Sequence, residues 1–459
     1  MLSVNNITDL FSFKQFVSST CVSDEQENII PQFESQRDTS SVRCPLCNGK
    51  VHVHDTSRST LKDMPFLPGA AQKINVLVHR YKCQSCSCTF NEEVEFKYPG
   101  TRVTKRAAAW IKAFLLCRMS IKSVSTLTGI HWDTISKIHK EIMDSELKKR
   151  KEELLSSGYK PKRLAVDEFA IHKGHTYATC VMDIDEGDVL WVGKGRSIAD
   201  FSAFFDEIDP EYLSEIEAVA MDMNASYNKL VEKNLPHAEI VYDRYHMQAQ
   251  FGKDVLGAVR LEEAKRHKQE AEELKASIST DMTKEELREM KEQEKEARHM
   301  YSVLKSSRWQ LLKNSSNLNE KSEMKLQSIL ETHSDLAVCY AMKEEMSRLF
   351  ELRDPERAEK GWHVWFEAAK ASGIPQLEKF ARIKEKRIPG LVAHAKHHIS
   401  TGKLEGFNNK IKVAKRIGYG YRDDDYFFTL IRYSALPSSR RADKKALQLH
   451  ICDLPFALN

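Results

Sequence analysis

Between Leu164 and Tyr242 short β-branched runs alternate with helical stretches in the order βββαβαβ, a succession that fits one mixed α/β sheet. The strands read as Leu164–Ile171, Tyr177–Met182, Val189–Val192, Glu217–Met221 and Glu239–Tyr242, with Ile184-Asp185-Glu186-Gly187 supplying one turn. Helices are expected around Ala199–Glu207 and near Ser226–Lys233. From about Met247 to Arg387 the strand signal disappears. Leu261–His299 is dense in near-balanced Glu and Lys, and Thr283 followed by Glu286 is a capping-box start for a new helix. This region is expected to be a helical insertion with solvated faces. A coiled-coil partner surface is the competing reading, against which Glu294 interrupts the apolar seam.

Three acids stand out by position. Asp167 shares the period-2 face of Ala165, Phe169 and Ile171, where a carboxylate is costly unless a cation or hydrogen bonds satisfy it. Asp222 follows the apolar run Ala218-Val219-Ala220-Met221, at the carboxyl end of a strand, where α/β sheets place ligand sites. Glu405 opens a helix whose faces follow from a step of about 100° per residue. Glu405, Asn409, Lys412 and Arg416 fall in one polar stripe, and Phe407, Ile411 and Ala414 fall opposite. Three carboxylates suit two Mg2+ ions, with Mn2+ as an alternative, one activating an attacking oxygen and the other stabilising a leaving one. Asn409, Lys412 and Arg416 would then grip a phosphate backbone. A single Asp at a strand end is more often a turn former or cap. Asp243, in Asp243-Arg244-Tyr245-His246, also ends a strand and competes with Asp222, or supports the site from behind together with His246. Glu168, Asp183 and Asp185 read as surface or turn residues.

Five of the ten cysteines cluster between Cys44 and Cys88. Clustered thiols in a reducing compartment suggest metal, and scattered ones (Cys21, Cys117, Cys180, Cys339, Cys452) are usually small buried hydrophobes. Cys44-Pro-Leu-Cys47 and Cys83-Gln-Ser-Cys86 each place two thiolates on one side of a tight turn, so together they suit a structural, tetrahedral Zn2+. The gap between these knuckles is long for a zinc ribbon. It fits a hairpin, with Val76, Val78 and Tyr81 turned to one side. Cys88, His52, His54 and His79 are alternative ligands.

The formal net charge of +4 conceals a strongly uneven distribution: from Arg102 to Lys140 eight basic residues face the lone acid Asp133, and Lys396 to Lys445 is also predominantly basic. Such segments suit a polyanion. Within the first, Val124 and Leu127 line one helix, Gly129 can take the positive φ of a turn, and Ile130 can plug the corner. Ile135, Ile138 and Ile142 line a second helix, leaving His131, Trp132, Thr134, Ser136, Lys137 and Lys140 to face a major groove. The pattern is a helix-turn-helix; an ordinary helical hairpin is the competing reading.

Together these features resemble the DDE-type transposases of bacterial insertion sequences, in particular the ISL-three family. The likeness runs from about Cys44 to Tyr433. It rests on the two knuckles, the helix-turn-helix, Ala165-Val166-Asp167-Glu168-Phe169-Ala170 followed by Lys173-Gly174-His175, Met221-Asp222-Met223 and Asp243-Arg244-Tyr245-His246. Its most specific blocks are Leu404-Glu405-Gly406-Phe407-Asn408-Asn409-Lys410-Ile411-Lys412 and Lys415-Arg416-Ile417-Gly418-Tyr419-Gly420-Tyr421-Arg422. The resemblance implies an RNase H-like fold with a helical insertion before the final acid, and Asp167, Asp222 and Glu405 as the catalytic triad. Ser400-Thr401-Gly402, where an Asn-containing turn is expected, and the long gap between knuckles depart from the pattern.

A chain of 459 residues is too long for one ordinary core. The expected organisation is a lead segment of weak patterning (1–40), a zinc module (41–97), a helix-turn-helix domain (98–150), the first part of the catalytic domain (160–250), the helical insertion (251–390), the final catalytic part (391–440) and a tail (441–459). The start of the chain does not read as a signal peptide, and no run approaches the roughly 18 apolar residues that span a bilayer, so a cytoplasmic, nucleoid-associated protein is expected. The expected function is cleavage and strand transfer at the terminal inverted repeats of an insertion sequence. The partners are double-stranded end and target DNA, and bringing two ends together implies a homodimer or higher oligomer. A non-catalytic DNA-binding repressor and a structure-selective nuclease are the rival readings.

Overall fold

The computed structural model describes residues 16–23, 29–35, 37–117, 119–172, 174, 176–223, 225–279, 282–399, 402–418 and 420–437. Part of the lead segment, Arg118, Lys173, His175, Ser400, Thr401, Tyr419 and everything beyond residue 437, including the tail, lie outside the described residues. The chain forms two compact units, Met1–Ser157 with Ile411–Asn459, and Gly158–Lys410.

The first unit opens with two strands from the lead segment, β1 (Phe16–Ser23) and β2 (Ile29–Ser35), paired antiparallel. Polar residues such as Ser18-Ser19-Thr20 in β1 and Pro31-Gln32 in β2 hide these strands from hydrophobic patterning, although Ile30 and Phe33 of β2 are buried. β3 (Val51–Leu67) and β4 (Ala70–Cys83) form a long antiparallel hairpin turned at Gly69, whose φ is +90°. β2 runs parallel to β4, and the short β5 (Thr89–Asn91) pairs antiparallel with it. Phe33, Leu61, Ile74, Val76 and Phe96 make the core of this sheet, with Val78 against it. Tyr81 departs from expectation. Its odd position puts it on the other face from Val76 and Val78, and it packs instead with Cys44, Val51 and Cys83.

Three helices follow: α1 (Lys105–Leu116), α2 (Ile121–Thr128) and α3 (Trp132–Ser156). Thr104 caps α1, and its hydroxyl also donates to the fully buried Asp63 of β3 at 2.6 Å. Arg106 pairs with the same carboxylate, so hairpin and helices share one satisfied buried acid. Ser120 caps α2, and Gly129 closes it in the left-handed region at φ +67°. Val124, Ile130, Ile135 and Ile138 join Val103, Ala107, Ala108 and Ile111 in one core. Leu127, expected to line α2, is 40% exposed; Thr128 is buried in its place, its hydroxyl bonded back to Val124 O at 2.8 Å. Ile142 is only partly buried.

The second unit carries the sheet expected from the strand pattern. β6 (Arg163–His172), β7 (Thr176–Asp183), β8 (Val189–Lys194), β9 (Ala218–Met221) and β10 (Glu239–Tyr242) lie in the order β10-β9-β6-β7-β8. β6, β7 and β8 are successive antiparallel neighbours; β9 is parallel to β6, and β10 to β9. α4 (Ile198–Glu207), started by a Ser197–Asp200 capping box, crosses from β8 to β9, and α5 (Ala225–Asn234) from β9 to β10. Phe201, Phe204 and Tyr227 pack with Leu164, Val166, Trp191, Val219 and Met221 on one face of the sheet. Asp183, read as a surface or turn residue, does end β7 at a turn but is fully buried, accepting from Tyr159 Oη at 2.7 Å and Asp185 N at 2.9 Å.

From Arg244 to His397 the described chain is helical. α6 (Arg244–Phe251) passes through one π-helical turn (Gly252–Leu256) into α7 (Gly257–Ala276), followed by α8 (Lys284–Ser306), α9 (Arg308–Leu312), α10 (Glu320–Thr332), α11 (Ser334–Leu349), α12 (Pro355–Lys370), α13 (Pro375–Lys384) and α14 (Ile388–His397). The Thr283–Glu286 capping box forms as expected. α7 and α8 pair with each other, Arg260 near the start of one donating to Leu304 O (2.8 Å) and Lys305 O (3.0 Å) near the end of the other. Inside lies a core built on Phe251, Trp362, Trp365, Phe366 and Phe380. α14 approaches β10 closely at Gly390, where an added Cβ would meet the Tyr242 ring at 2.4 Å. α15 (Gly402–Ile417) and α16 (Asp424–Ala435) complete the described chain. The division between units falls inside α15, within the stretch expected to close the catalytic domain. In the first unit α16 packs on α3, with His139 Nδ1 2.5 Å from Tyr426 Oη.

Candidate active site and metal centre

Asp167 lies mid-strand on β6, half-buried between Ala165 and Phe169 of the same face, both buried. Its Oδ1 accepts from Glu168 N at 2.8 Å, and its Oδ2 accepts from Asn408 Nδ2 of α15 at 2.6 Å. Burial raises its pKa; the Glu168 amide and the nearby His246 oppose the shift, whereas Asp243 and Asp222 add to it. A carboxyl pressed upward by burial and by two neighbouring carboxylates is a site that favours a cation.

Asp222 follows β9 and is 55% exposed, with Oδ1 accepting from Met223 N at 2.6 Å and Oδ2 3.7 Å from His246 Nδ1. Asp243 caps α6 by accepting from Tyr245 N (2.5 Å) and His246 N (3.3 Å). One Asp243 oxygen is therefore committed to a helix start, while Asp222 faces solvent beside a histidine. Glu405 is exposed on the first turn of α15, one turn before Asn408. Leu404, Phe407 and Ile411 are buried, whereas Asn409, Lys412 and Arg416 are exposed, which is the stripe the sequence predicts. Asp167, Asp222, Asp243 and His246 thus share one electrostatic neighbourhood. The three acids Asp167, Asp222 and Glu405 are not among the donor sets drawn to within 4.8 Å of one another in the described residues.

Two residues here carry no sequence forecast. Asn408 is buried and holds Asp167, whereas its exposed neighbour Asn409 was the amide picked out by the polar stripe. A polar side chain on the apolar side of a helix was the available signal. Lys384 of α13 is 7% exposed, its Nζ donating to Gln250 Oε1 at 2.5 Å and lying 3.4 Å from Met223 Sδ. Burial lowers its pKa while the Asp222 charge opposes that shift. Nothing in its local sequence marks it.

In the first unit the long knuckle gap is spent on the β3–β4 hairpin. Val51 pairs with Cys83, so the strand ends bring the two knuckles together. The four sulfurs of Cys44, Cys47, Cys83 and Cys86 lie within 4.8 Å of one another, with Cys44–Cys86 at 3.5 Å and Cys47–Cys83 and Cys47–Cys86 at 3.4 Å. Tetrahedral Zn–S bonds of ~2.3 Å require sulfurs ~3.8 Å apart, so the set fits one such ion with little adjustment. The backbone N–H of Cys86, joined by that of Ser85, holds the Cys83 thiol down at about 6, which favours the ligating thiolate. Cys88 and the histidines lie outside this set; Cys88 Sγ faces Thr89 O, and His79 Nδ1 is 2.9 Å from Thr56 Oγ1. Of the scattered cysteines, Cys180 and Cys339 are buried as expected and Cys117 is exposed.

On α3, Trp132 is 48% exposed, and His131 and Lys140 are exposed, with Thr134 and Ser136 half-buried. Lys137 is partly engaged: its Nζ donates to Gly100 O at 3.0 Å and lies 4.0 Å from Glu141.

A transposase family model, that of the ISL-three type, matches residues 164–431. The transposase for insertion sequence element IS1001 of Bordetella parapertussis is 32% identical over 403 residues, 87% of this chain and 89% of that protein. The chain belongs to the ISL-three transposase family. The transposase for insertion sequence element IS1557 of Mycobacterium tuberculosis, from strains CDC 1551 / Oshkosh and H37Rv, is 27% identical over 320 residues, 69% of each chain. The matched family stretch of this transposase contains Asp167, Asp222, Asp243, Asn408 and Glu405, and begins after the cysteine set and α1–α3. Among the described residues no helix of the transposase is long and apolar enough to cross a membrane.

Proposed function

We propose that this transposase is a DDE-type enzyme on an RNase H-like scaffold, with Asp167, Asp222 and Glu405 as its metal-holding acids. The observation that carries the reading is the Asn408–Asp167 hydrogen bond, which ties the Glu405 helix to the strand bearing the first acid. The strand order, three antiparallel strands followed by two parallel ones on the far side of β6, supports the scaffold. Two Mg2+ ions, or Mn2+, would activate an attacking oxygen and stabilise a leaving one when bound. Asp222 presents its carboxylate to solvent, with His246 Nδ1 3.7 Å away and Met223 N holding the other oxygen. Asp243 fixes the start of α6 and thereby the placement of His246, a supporting role. Asn409, Lys412 and Arg416 bind the DNA backbone.

In the first step water displaces the 3′ oxygen at the element's end from phosphorus, leaving a 3′-hydroxyl and a 5′-phosphate. In the second that hydroxyl attacks a target phosphodiester, gives up its proton, and the target's own 3′ oxygen leaves with one. The cysteine set holds a structural Zn2+, and α2–α3 act as a helix-turn-helix at the terminal inverted repeats, with Trp132, Thr134, Ser136, Lys137 and Lys140 toward DNA. Pairing of two ends calls for a homodimer or larger assembly, at the nucleoid in the cytoplasm. Asp222→Asn and Glu405→Gln should abolish Mg2+-dependent cleavage of an end-containing duplex and spare its binding. Normal cutting by both variants overturns the assignment.

A further inference from the structure

Three metal-capable side chains meet within the helical insertion. Glu263 and His267 stand one turn apart on α7, and His333 occupies the corner where α10 ends and α11 begins. One donor atom of each lies within 4.8 Å of the other two. The Glu263 and His333 side chains are 9% and 4% exposed. The two oxygens of Glu263 are divided, Oε1 3.2 Å from Arg266 Nη1 and Oε2 3.6 Å from His333 Nδ1. His267 is held from behind by Glu270, whose Oε2 lies 3.0 Å from Nδ1. That contact favours the tautomer with Nδ1–H, leaving the Nε2 lone pair free, the arrangement by which a carboxylate orients a metal-binding imidazole. His333 Nε2 is buried without a hydrogen-bond partner, a costly state for a ring nitrogen.

We propose that Glu263, His267 and His333 bind a divalent transition-metal ion of the Zn2+ class, which clamps α7 to the α10–α11 corner. Two imidazoles and one carboxylate form a donor set suited to Zn2+ and its neighbours and poorly suited to Mg2+. Even if all three separations reached 4.8 Å, each donor would stand about 2.8 Å from the centre of the triangle, so bonds of ~2.1 Å need an inward shift of only ~0.7 Å. The corner itself is firm: His333 N donates to Ile329 O at 3.0 Å, and its carbonyl accepts from Ala337 N at 3.0 Å. Three protein donors leave a fourth position for water. Glu263 also bridges the exposed Arg266 and the buried His333.

The test uses the full chain, stripped with a chelator, re-equilibrated with Zn2+ and weighed by native mass spectrometry. His267→Asn and Glu263→Gln should each bind one equivalent fewer than wild type, whatever the cysteine set retains, and should lose part of the Zn2+-induced rise in melting temperature. His267 is partly exposed and its variant is expected to fold, which circular dichroism verifies. Equal metal content and equal thermal response in wild type and both variants overturn the proposal.

Discussion

Asn408 Nδ2 donates to Asp167 Oδ2 at 2.6 Å, a bond between α15 and β6 that spans 241 positions of the chain. Because Glu405 stands one turn earlier on α15, the bond fixes the turn that carries one acid against the strand that carries another. Partners that orient a metal-holding carboxylate are commonly worth about 10–100-fold in metal affinity or activity. Asn408→Ala should therefore slow end cleavage by roughly that factor and raise the Mg2+ concentration needed. Asn408→Asp should be worse, since it sets another carboxylate beside an acid already crowded by Asp222 and Asp243. A Mg2+ titration of cleavage reads both effects, and wild-type behaviour of Asn408→Ala would remove this bond from the mechanism.

The cysteine geometry separates ligands from bystanders. Cys47→Ser or Cys86→Ser should release one equivalent of zinc, whereas Cys88→Ser should release none, its sulfur lying against Thr89 O. Zinc content by elemental analysis decides this. Loss of metal from the Cys88 variant would mean that the ligand set is drawn incorrectly.

Lys140 and Lys137 lie one turn apart on α3 yet should behave differently. Lys140→Ala is expected to weaken binding to an end-containing duplex and to reduce the salt slope of log affinity by ~1. Lys137→Ala should do less, because its ammonium already donates to Gly100 O. Binding titrations across several salt concentrations give both slopes. An unchanged slope for Lys140→Ala would take α3 off the DNA.

Acid should loosen the contact between α16 and α3. Burial pushes the His139 imidazole from its ordinary 6.5 down to about 4. Protonation is then easier in the unfolded chain, so the stability contributed by neutral His139 is full above pH 6.5 and is lost as pH falls toward about 4. His139→Phe keeps the ring contacts with Tyr426 and Tyr433 but cannot titrate. Its melting temperature should improve relative to wild type as pH is lowered through that window; a constant difference would exclude His139 as the cause.

The sequence was most legible where side-chain period and burial coincide. β6, β7 and β10 match the alternating or apolar runs almost residue for residue, and the Thr283 and Gly129 signals mark a helix start and a helix end. It was least legible where the backbone or a tertiary partner sets the role. β1 and β2 pair through a backbone ladder within largely polar runs, and the buried Ile30 and Phe33 of β2 stand too isolated in sequence to advertise a strand. Asp243 looked like Asp222 because both end parallel strands, and only the amides of Tyr245 and His246 distinguish a helix cap from a solvent-facing acid. Asn408 and Asn409 are adjacent in sequence, and a step of about 100° turns one inward and the other out. Leu127 shows the converse: an apolar residue at a plausible inward spacing whose place is taken by a back-bonded threonine.

The pairing from Val51–Cys83 toward the Gly69 tip, shifted once between Val53 and Asp55 and again between Asp63 and Leu67, ties the distance between the two knuckles to the length of the hairpin. One extra residue in a single arm would invert every side chain beyond it, unless absorbed as at the bulge near His54, whereas one in each arm only lengthens the ladder. A matched pair keeps every side chain on its face but pushes the tip outward, away from the place where Gly69 N donates to Leu127 O at 2.8 Å. The spacing that makes the cysteine motif look irregular is thus a reach, the span from the sulfur set at one end of the hairpin to α2 at the other.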